Sequence, residues 1–494
     1  MLIFPTTLKK LLNRMTEKEE TSDGDGINSK FNKLSRIQKS SFFVGSENRL
    51  EKINDFNDPK KVEKELDKIR LHLKNYLQLD NVSFLFGAGT SIHLGSESIQ
   101  YIPSKLLDEF STVENGKVIV ESLTNRKIKK EEDNDNKEYK DLDVQLEKLL
   151  NKLLNLSYLS DIPNLQISQS DDEDGNEFEI TSDSIQELIK IIKKYIFEIC
   201  DLDNIPLGEN SFFQTNGGEI DDFKKACKEI MGDYGKHIFH KKLLKSLLQR
   251  PLNLRRVNIF TTNNDLAFEN AFDELGIHYI DGFTGHHKRA FRPEVYNYDL
   301  YFPGHTTEGQ VRRVERVIRY FKLHGSISWV DTEKSSESPF GVEEKTIDYL
   351  RNNEEEQGEL LIYPSAKKTE YSLGFPYSEL FRQFAATITQ EQSVLFCVGY
   401  SFSDEHINDI IYQALSIPSF TLVIVDFKGT ENKEIERLKN LDDPRIIIME
   451  GPYLGDFKTF ATDIIPSFQE MDSREKIADT LEKLYSEDQE VSNE

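Results

Sequence analysis

Cysteine is scarce in this chain of 494 residues: its three cysteines, Cys200, Cys227 and Cys397, lie far apart in the sequence. Without a Cys-x-x-Cys pair, a disulfide framework is not expected, and one chain cannot supply a four-cysteine structural zinc site. The sequence also lacks any run of about 18 apolar residues, which a membrane-spanning helix requires. Its first apolar stretch, before Lys9, is too short to act as a secretory signal. We therefore expect a cytoplasmic protein that does not associate with a membrane.

Positive charge is also scarce relative to negative charge. The chain has 62 lysines and arginines against 87 aspartates and glutamates, which gives a formal net charge of −25. Because non-specific nucleic-acid binding depends on neutralising phosphates with lysine and arginine, this excess disfavours direct nucleic-acid binding. The hydrophobic fraction of 37% is enough for a sizeable core, so disorder of the whole chain is excluded.

Composition and periodicity divide the chain into three expected regions. Residues 1–80 combine a polar mobile arm, about Glu17 to Asp58, with a helix whose apolar side chains recur every three or four residues: Val62, Leu66, Ile69, Leu73 and Tyr76. Residues 81–470 form the main domain, and residues 471–494 form a charged tail.

Residues 106–254, within the main domain, are predicted to be a helical insertion. One helix carries a stripe of leucines between Leu142 and Leu154, and a second begins at a capping box formed by Ser184 and Glu187. Acidic stretches at 131–137 and 171–179 are interpreted as solvated loops rather than metal sites, because blocks of like charge are usually solvated. The insertion is therefore expected to consist of helices joined by acidic loops.

The rest of the main domain alternates short apolar runs with helical segments. The predicted strands are Val82–Phe86, Val257–Thr261, Val317–Leu323, Leu360–Tyr363, Val394–Val398, Thr421–Asp426 and Arg445–Met449. The predicted helices between them are Asp265–Leu275, Tyr377–Thr389 and Asp404–Ser416. Continuous apolar strands that alternate with helices are typical of the α/β class, in which a parallel sheet is covered on both faces.

The first candidate functional segment is FLFGAGTS, residues 84–91, in which a strand ends in two glycines and small hydroxyl residues. Such a turn lets the backbone approach a phosphate, and Thr90 or Ser91 can donate hydrogen bonds or cap the next helix. A purely structural tight turn is the competing interpretation, because glycine turns occur wherever a positive φ is required.

Two further strands end in polar residues. The segment IFTTNND, residues 259–265, runs from a strand into five polar side chains, and helix capping accounts for one of them but not for all five. The segment YFKLHGS, residues 320–326, ends in His324. An imidazole titrates near neutrality and is suited to acid–base catalysis, although a single histidine at a strand end is more often structural.

The fourth segment is LFCVGYSFSD, residues 395–404, in which a strand leads through a glycine and hydroxyl residues into a helix. The strand after it, VIVD, ends in Asp426, a carboxylate suited to pairing with a ribose hydroxyl. A plain solvated strand-end aspartate is the competing interpretation.

In this order, GAGTS, TTNND, LHGS, GYSFSD and VIVD resemble the NAD-binding domain of the sirtuin family. The resemblance is closest to the sirtuin-like proteins of bacterial anti-phage defence systems, with YIDGF at residues 279–283 and GYSFSDEHI similar to that branch. It covers about Asn81 to Met449 and implies a Rossmann-like, mainly parallel sheet that carries the helical stretch as an insertion.

The resemblance also implies roles for individual residues, with NAD as the substrate. Those expected to contact the NAD diphosphate are Gly87, Ala88, Gly89 and Ser91. Asn263 and Asp265 would face the nicotinamide ribose and carboxamide, and His324 would be the catalytic histidine. The adenosine half would be held by Gly399, Ser401 and Asp426.

Two features of deacetylating sirtuins are missing from the sequence. Their four-cysteine zinc module lies between the His-Gly and Gly-x-Ser motifs, where this chain has no cysteine before Cys397. The segment LLIYPSAKK, residues 360–368, does not resemble their acyl-peptide-binding strand. We therefore expect no zinc and no deacetylation. The histidine pairs at 237/240 and 286/287 are interpreted as surface or structural, because a zinc site needs more than two ligands.

The expected activity is hydrolysis of NAD to nicotinamide and ADP-ribose. His324 would accept a proton, Asn263 would orient the attacking water, and Asp265 would hold the carboxamide or stabilise positive charge. The alternatives are an NAD- or ADP-ribose-binding regulatory module and a nuclease subunit. The resemblance further implies a homo-oligomer that works with a HerA-type hexameric ATPase in defence by NAD depletion. The chain has no G-x-x-x-x-G-K-[ST] motif, so such a motor would be a separate protein.

Overall fold

A nine-stranded sheet lies at the centre of the computed structural model, which describes residues 33–53, 56, 58–96, 102–128, 130–133, 136–139, 142, 144, 146–160, 168–169, 178–179, 181–205, 236–302, 312–358 and 375–466. Its strands, numbered in chain order, are β1 (Ser41–Val44), β2 (Glu47–Asn48), β3 (Asn81–Phe86), β4 (Asn258–Thr261), β5 (His278–Ile280), β6 (Val317–Lys322), β7 (Ser393–Val398), β8 (Thr421–Asp426) and β9 (Ile446–Glu450). They lie side by side in the order β2-β1-β9-β8-β7-β3-β4-β6-β5.

The seven strands from β9 to β5 are all parallel, whereas β1 is antiparallel to both β9 and β2. The chain first builds outward from β3 through β4 to β6, then crosses back to β7 on the other side of β3. The strands β6-β4-β3-β7-β8-β9 therefore have the doubly wound Rossmann order, with the reversal between β3 and β7. The predicted α/β fold class is confirmed.

Helices cover both faces of this sheet. The α-helices of the described ranges are α1 (Pro59–Leu77), α2 (Ser104–Phe110), α3 (Gly116–Thr124), α4 (Leu146–Ser160), α5 (Ser182–Cys200), α6 (Ile238–Leu247), α7 (Ala267–Leu275), α8 (Ile347–Arg351), α9 (Tyr377–Ile388), α10 (Glu405–Leu415), α11 (Lys433–Lys439), α12 (Gly451–Leu454) and α13 (Phe457–Thr459). A π-helix, Phe460–Ile464, follows α13. None of the helices in these ranges combines the length and the apolar composition that a bilayer crossing requires.

The two faces form two separate hydrophobic clusters. Successive side chains of a strand point to opposite faces, so Phe84 and Phe86 of β3 lie in one cluster and Leu85 in the other. The first cluster includes side chains of α1, α6 and α7, and the second includes side chains of α9, α10 and α11. Both strands at the reversal, β3 and β7, are buried along their whole length, which explains their continuous apolar runs.

The helical insertion has its own hydrophobic cluster, built from α2, α3, α4 and α5. Helix α6, which the sequence places at the end of the insertion, instead packs its leucines against the central sheet. Ion pairs connect α5 and the residue after it to the main domain: Lys194 lies 2.9 Å from Glu354, and Asp201 lies 2.8 Å from Arg351.

A small antiparallel sheet lies beside the central one. Its strands, in spatial order, are Phe283–Thr284, Arg289–Phe291, Val342–Glu344 and Trp329–Asp331. They follow β5 and β6 in the chain, so this sheet is built from the connections that leave the carboxyl ends of those two strands. Each of its strands has only two or three residues, which is too short to leave a pattern in the sequence that predicts this sheet.

The predicted mobile arm is wrong for its last part. Residues 41–44 form β1, in which Phe42 and Phe43 are buried on the two faces of the sheet. Strand pairing with β9, about 400 residues further along the chain, orders this otherwise polar segment. The arm before residue 33, the predicted strand at 360–363 and the tail from residue 467 lie outside the described residues. The other domain boundaries stay predictions.

Candidate functional site

The loops that follow β3, β4, β6, β7 and β8 all lie at the carboxyl edge of the parallel sheet, because parallel strands end at the same edge. Every site residue predicted from the sequence lies in one of these five loops or, for Asp426, at the last position of β8. In doubly wound sheets this edge, at the point where the strand order reverses, is where ligands bind.

The glycines of GAGTS, the turn after β3, pack against the turn at Gly399, which follows β7. The Gly87 amide donates to the Val398 carbonyl over 3.1 Å, and the Gly89 amide donates to the Gly399 carbonyl over 3.0 Å. A Cβ atom on Gly87 would lie 2.5 Å from the Gly399 carbonyl oxygen, and one on Gly89 would lie 2.7 Å from the Gly399 Cα. Gly399 itself has φ +61°, which favours glycine. These glycines are therefore required for contact between the two turns.

This contact changes what the first turn can offer to a diphosphate. The Thr90 amide donates to the Gly87 carbonyl and the Ser91 amide to the Ala88 carbonyl, both over 3.0 Å. Together with the glycine amides above, four of the five N–H groups of GAGTS are satisfied within the protein. Ala88 is exposed, and its amide takes part in no such bond within the described part of the chain. The Thr90 hydroxyl already donates to the Gly87 carbonyl over 2.8 Å, so a diphosphate here would bind the Ala88 N–H and the Ser91 hydroxyl rather than the glycine amides.

Asn263 connects the first and second loops. Its side-chain Nδ2 donates to Thr90 Oγ1 over 3.2 Å and to Ser91 Oγ over 3.1 Å, and the side chain is buried. Both amide hydrogens are therefore used, which leaves the amide oxygen as the group that can accept a hydrogen bond from a water or a ligand. The sequence pointed to Asn263 and Ser91 separately, and the structure brings them together.

Asp265 lies two residues before the first residue of helix α7, and Leu266 between them is the N-cap. The Oδ1 of Asp265 accepts a hydrogen bond from the Ala267 amide over 3.0 Å, so this local contact accounts for one of its two oxygens. The side chain is buried, at 6% exposure, in the loop after β4. This contact is compatible with ligand binding because the second oxygen of a carboxylate has lone pairs of its own.

A buried ion pair that the sequence analysis missed holds the second loop. Lys322 Nζ lies 2.7 Å from Glu269 Oε1 and also donates to the backbone carbonyls of Asn264 and Asp265. Burial raises the pKa of Glu269, while the nearby ammonium of Lys322 opposes this rise. The available signal was a charged residue inside the apolar run of β6, since a buried charge is normally paired.

His324 lies beside an aspartate from the fourth loop. Its Nε2 is 2.9 Å from Oδ2 of Asp404, the residue that caps α10, and the two side chains are 5% and 1% exposed. His324 is one of the site residues predicted from the sequence, whereas Asp404 is not. Eighty residues separate them, so no local pattern predicted their contact.

The residues expected to hold adenosine are more open. Ser401 is exposed, and its Oγ lies 2.9 Å from Ser403 Oγ. Asp426 Oδ1 accepts from the amides of Lys428 and Gly429, over 3.0 and 2.7 Å, and burial raises the pKa of this carboxyl. Oδ1 of Asp426 thus stabilises the turn after β8, as the structural interpretation predicts. Its second oxygen can still accept a hydrogen bond from a ligand.

The two histidine pairs differ in burial. His286 and His287 are exposed, which fits the surface interpretation, whereas His237 and His240 are buried, which fits the structural one. Across the described ranges, no group of three or more His, Cys, Asp and Glu side chains is arranged to hold a metal ion. The expected lack of zinc stays a prediction, because part of the chain lies outside those ranges.

Comparison with known families adds one finding. Residues 257–442 match the model of the SIR2-like domain, a segment that begins at β4 and ends just after α11. It contains TTNND, LHGS, GYSFSD and VIVD, while GAGTS and β3 lie before it. No curated protein matches the chain. SIR2-like domains use NAD, so the match supports an NAD-dependent enzyme. The Rossmann-like sheet and the four loop motifs inside the matched segment therefore support a sirtuin-like domain within this chain.

Proposed function

We propose that this protein is an NAD hydrolase that cleaves the bond between nicotinamide and ribose. The observation that carries the proposal is the hydrogen-bonding of Asn263 to Thr90 and Ser91, next to the strand that ends in the buried His324. These bonds join the amide of Asn263 to the hydroxyl turn after β3, and His324 follows β6, the next parallel strand, at the same edge of the sheet. The SIR2-like match supports the same substrate.

The proposed reaction needs only NAD and water. As the bond from ribose C1′ to the nicotinamide nitrogen breaks, positive charge develops on the ribose and nicotinamide leaves as a neutral molecule. Water attacks C1′, and its proton passes to His324 directly or through a ribose hydroxyl. The amide oxygen of Asn263 accepts a hydrogen bond from the water and orients it, while Asp265 holds the carboxamide or stabilises the developing charge.

Hydrolysis is favoured over protein deacetylation by the sequence. The cysteines needed for the sirtuin zinc module are missing between His324 and Cys397. The described part of that interval contains two strands of the small antiparallel sheet, helices α8 and α9 and most of β7, while residues 359–374, where LLIYPSAKK falls, are outside it. Because LLIYPSAKK does not resemble an acyl-peptide-binding strand, we propose water as the acceptor of the ribosyl group.

The deciding experiment incubates the purified chain with NAD, with and without an acetyl-lysine peptide, and separates the products by chromatography. We expect nicotinamide and ADP-ribose in equal amounts, at the same rate in both reactions. Product that forms only with the peptide would contradict the proposal. Binding of NAD or ADP-ribose without turnover would favour a regulatory module, and DNA cleavage would favour a nuclease subunit.

We further propose that the protein acts in the cytoplasm as an effector of anti-phage defence, by depleting NAD. The support is the sequence resemblance to sirtuin-like defence proteins, together with the net charge of −25, which disfavours an effector that works by coating nucleic acid. A homo-oligomer and a HerA-type ATPase are its proposed partners.

A further inference from the structure

The carboxylate of Asp404 contacts both the N-terminus of helix α10 and the side chain of His324. Its Oδ1 accepts hydrogen bonds from the amides of His406 and Ile407, over 3.0 and 3.4 Å, and so caps helix α10. Its Oδ2 lies 2.9 Å from Nε2 of His324, at the end of β6. An N-cap needs only one side-chain oxygen, so the second oxygen is not explained by the helix.

Both groups of this contact are removed from water. The His324 side chain is 5% exposed and that of Asp404 is 1% exposed. A buried carboxylate is costly without partners, and backbone amides at a helix N-terminus stabilise its negative charge. Hydrogen bonds from α10 and its neighbours also fix the aspartate, because the Asn408 side chain binds the Phe402 carbonyl and the Tyr400 hydroxyl binds the Asp404 carbonyl.

The charge of the carboxylate determines which ring nitrogen carries hydrogen. An ionised carboxylate can only accept hydrogen bonds, so Nε2 of His324 must be the donor. In the neutral imidazole the other nitrogen then has the lone pair. The atom that can accept a proton from substrate or water is therefore Nδ1.

We propose that Asp404 is a positioning residue for catalysis: it fixes His324 in the Nε2–H tautomer, so that Nδ1 acts as the base. This proposal rests on the proposed NAD hydrolysis. When Nδ1 takes up a proton, the ring becomes a cation, and the Asp404 carboxylate 2.9 Å from Nε2 stabilises it. Asp404 itself touches neither the substrate nor the water.

The test uses Asp404→Asn in the full chain. Asparagine keeps an oxygen for the His406 and Ile407 amides, so α10 stays capped, but it places an N–H donor against Nε2. The ring then takes the Nδ1–H tautomer. We expect kcat for NAD hydrolysis to fall by on the order of 10²-fold or more, with KM within about twofold of the wild-type value. Thermal melts should be close to wild type.

Asp58→Asn is the matched control. Asp58 caps α1 by accepting from the Lys60 amide over 3.0 Å, and its other oxygen lies 3.6 Å from the Lys61 ammonium. It therefore loses the same charge at the same kind of position, with a different cationic neighbour. We expect its kcat and KM to match those of the wild type. Loss of turnover equal to that of Asp404→Asn would show a general effect of helix capping and overturn the proposal.

The tautomer is measured separately by ¹⁵N NMR of histidine-labelled protein, with His324→Gln to identify the signal among the ten histidines. We expect Nε2–H in the wild type and Nδ1–H in Asp404→Asn. Nδ1–H in the wild type would overturn the proposal even if the variant fails to fold, as would wild-type turnover by a folded Asp404→Asn chain. If the tautomers are as expected but no chain hydrolyses NAD, the proposed function fails while the hold of Asp404 on the ring stands.

Discussion

Asn263 and His324 are the two residues whose removal tests the proposed chemistry most directly. His324→Ala removes the base, and Asn263→Ala removes the amide that orients water, so each should lower kcat by on the order of 10²- to 10⁴-fold. Assays of nicotinamide release measure this loss. If His324→Ala retains near-wild-type turnover, the histidine is structural.

Both variants should also lose stability, so lost turnover has to be separated from unfolding. Asn263→Ala leaves the buried hydroxyls of Thr90 and Ser91 without their donor, which costs about 1–3 kcal/mol. His324→Ala removes the histidine that contacts the buried Oδ2 of Asp404. Urea unfolding of each variant measures this loss, and a variant that is folded under the assay conditions reports on the chemistry.

A second residue-scale prediction concerns Gly89. A phosphate-binding role for Gly89 would mean that a larger side chain obstructs NAD, but in the structure the Gly399 backbone occupies the space that such a side chain would enter. Even Gly89→Ala would put a Cβ 2.7 Å from the Gly399 Cα, so we expect a loss of about 1–3 kcal/mol in unfolding free energy. Gly276→Ala is the comparison: it has φ +61° with nothing within 4 Å, so it adds backbone strain without a clash. Equal stability of Gly89→Ala and wild type would refute the packing role.

At the scale of elements, helix α6 carries a buried group of histidines that predicts acid sensitivity. His240 of α6 stacks on His93 with ring centroids 5.5 Å apart, and neither ring nitrogen of His240 has a hydrogen-bond partner in the described structure. Burial lowers the pKa of His93 to about 3, and burial also holds the pKa of His240 well below its ordinary value. Positive charge from Lys458 adds to the effect on His93.

Because these histidines stay neutral in the folded chain, their effect on stability has a definite sign. Above a pH of about 6.5 both states are neutral, whereas below it the unfolded chain takes up protons that the folded chain does not. The free energy of unfolding should therefore fall by up to about 1.4 kcal/mol per pH unit for each such histidine as the pH drops toward 3. Urea titrations between pH 7 and pH 5 measure the slope.

The control for this slope exploits a histidine outside the cluster. His240→Leu should make stability less dependent on pH, whereas His278→Leu, on the exposed side of β5, should leave the slope unchanged. His237 also faces His240, but it contacts Glu274, so its substitution would disturb an ion pair as well. A slope unaffected by His240→Leu would contradict the assignment.

The sequence predicts those helices and strands whose position is determined by a local pattern of apolar residues. The strand Thr421–Asp426 was predicted with its bounds, and α1 was found from its periodicity, because burial on a sheet leaves a continuous or repeating apolar pattern. The start of α5 was misplaced: Thr181 is the cap, and the predicted cap Ser184 supplies the amide that donates to its Oγ1. Either hydroxyl satisfies the local rule, and tertiary packing decides between them.

The site was predicted as a set of loops rather than as a set of contacts. Strand ends followed by polar residues gave Asn263, Asp265 and His324, because parallel topology brings such ends to one edge. Asp404 and Lys322 were not singled out, since their roles depend on partners 80 and 53 residues away. The sequence predicts the turn glycines Gly87, Gly89 and Gly399, but it assigns them to contact with NAD rather than to the packing of one turn against the other. The conformation of a turn can be predicted from local sequence, whereas the segment that packs against it cannot.

At the scale of the whole molecule, we predict a homo-oligomer that associates with a HerA-type ATPase. The acidic surface implied by the net charge of −25 suits a partner with a basic face, and the separate core of the insertion offers surfaces beyond the catalytic sheet. Light scattering of the chain alone should give a multiple of the monomer mass, and mixing with a HerA-type ATPase should raise the mass further. A monomer that does not associate with the ATPase would contradict both parts.

The pairing of β1 with β9 has a consequence for how the protein is made and cut. Strand β1, which covers the edge of β9, lies near the N-terminus. A chain that has lost residues 1–48 keeps all seven parallel strands but exposes β9 as an unpaired edge. Exposed strand edges pair with other chains. Trimming the N-terminus to remove its polar residues would therefore turn a capped sheet into one that aggregates, and a cut after residue 32 would spare it.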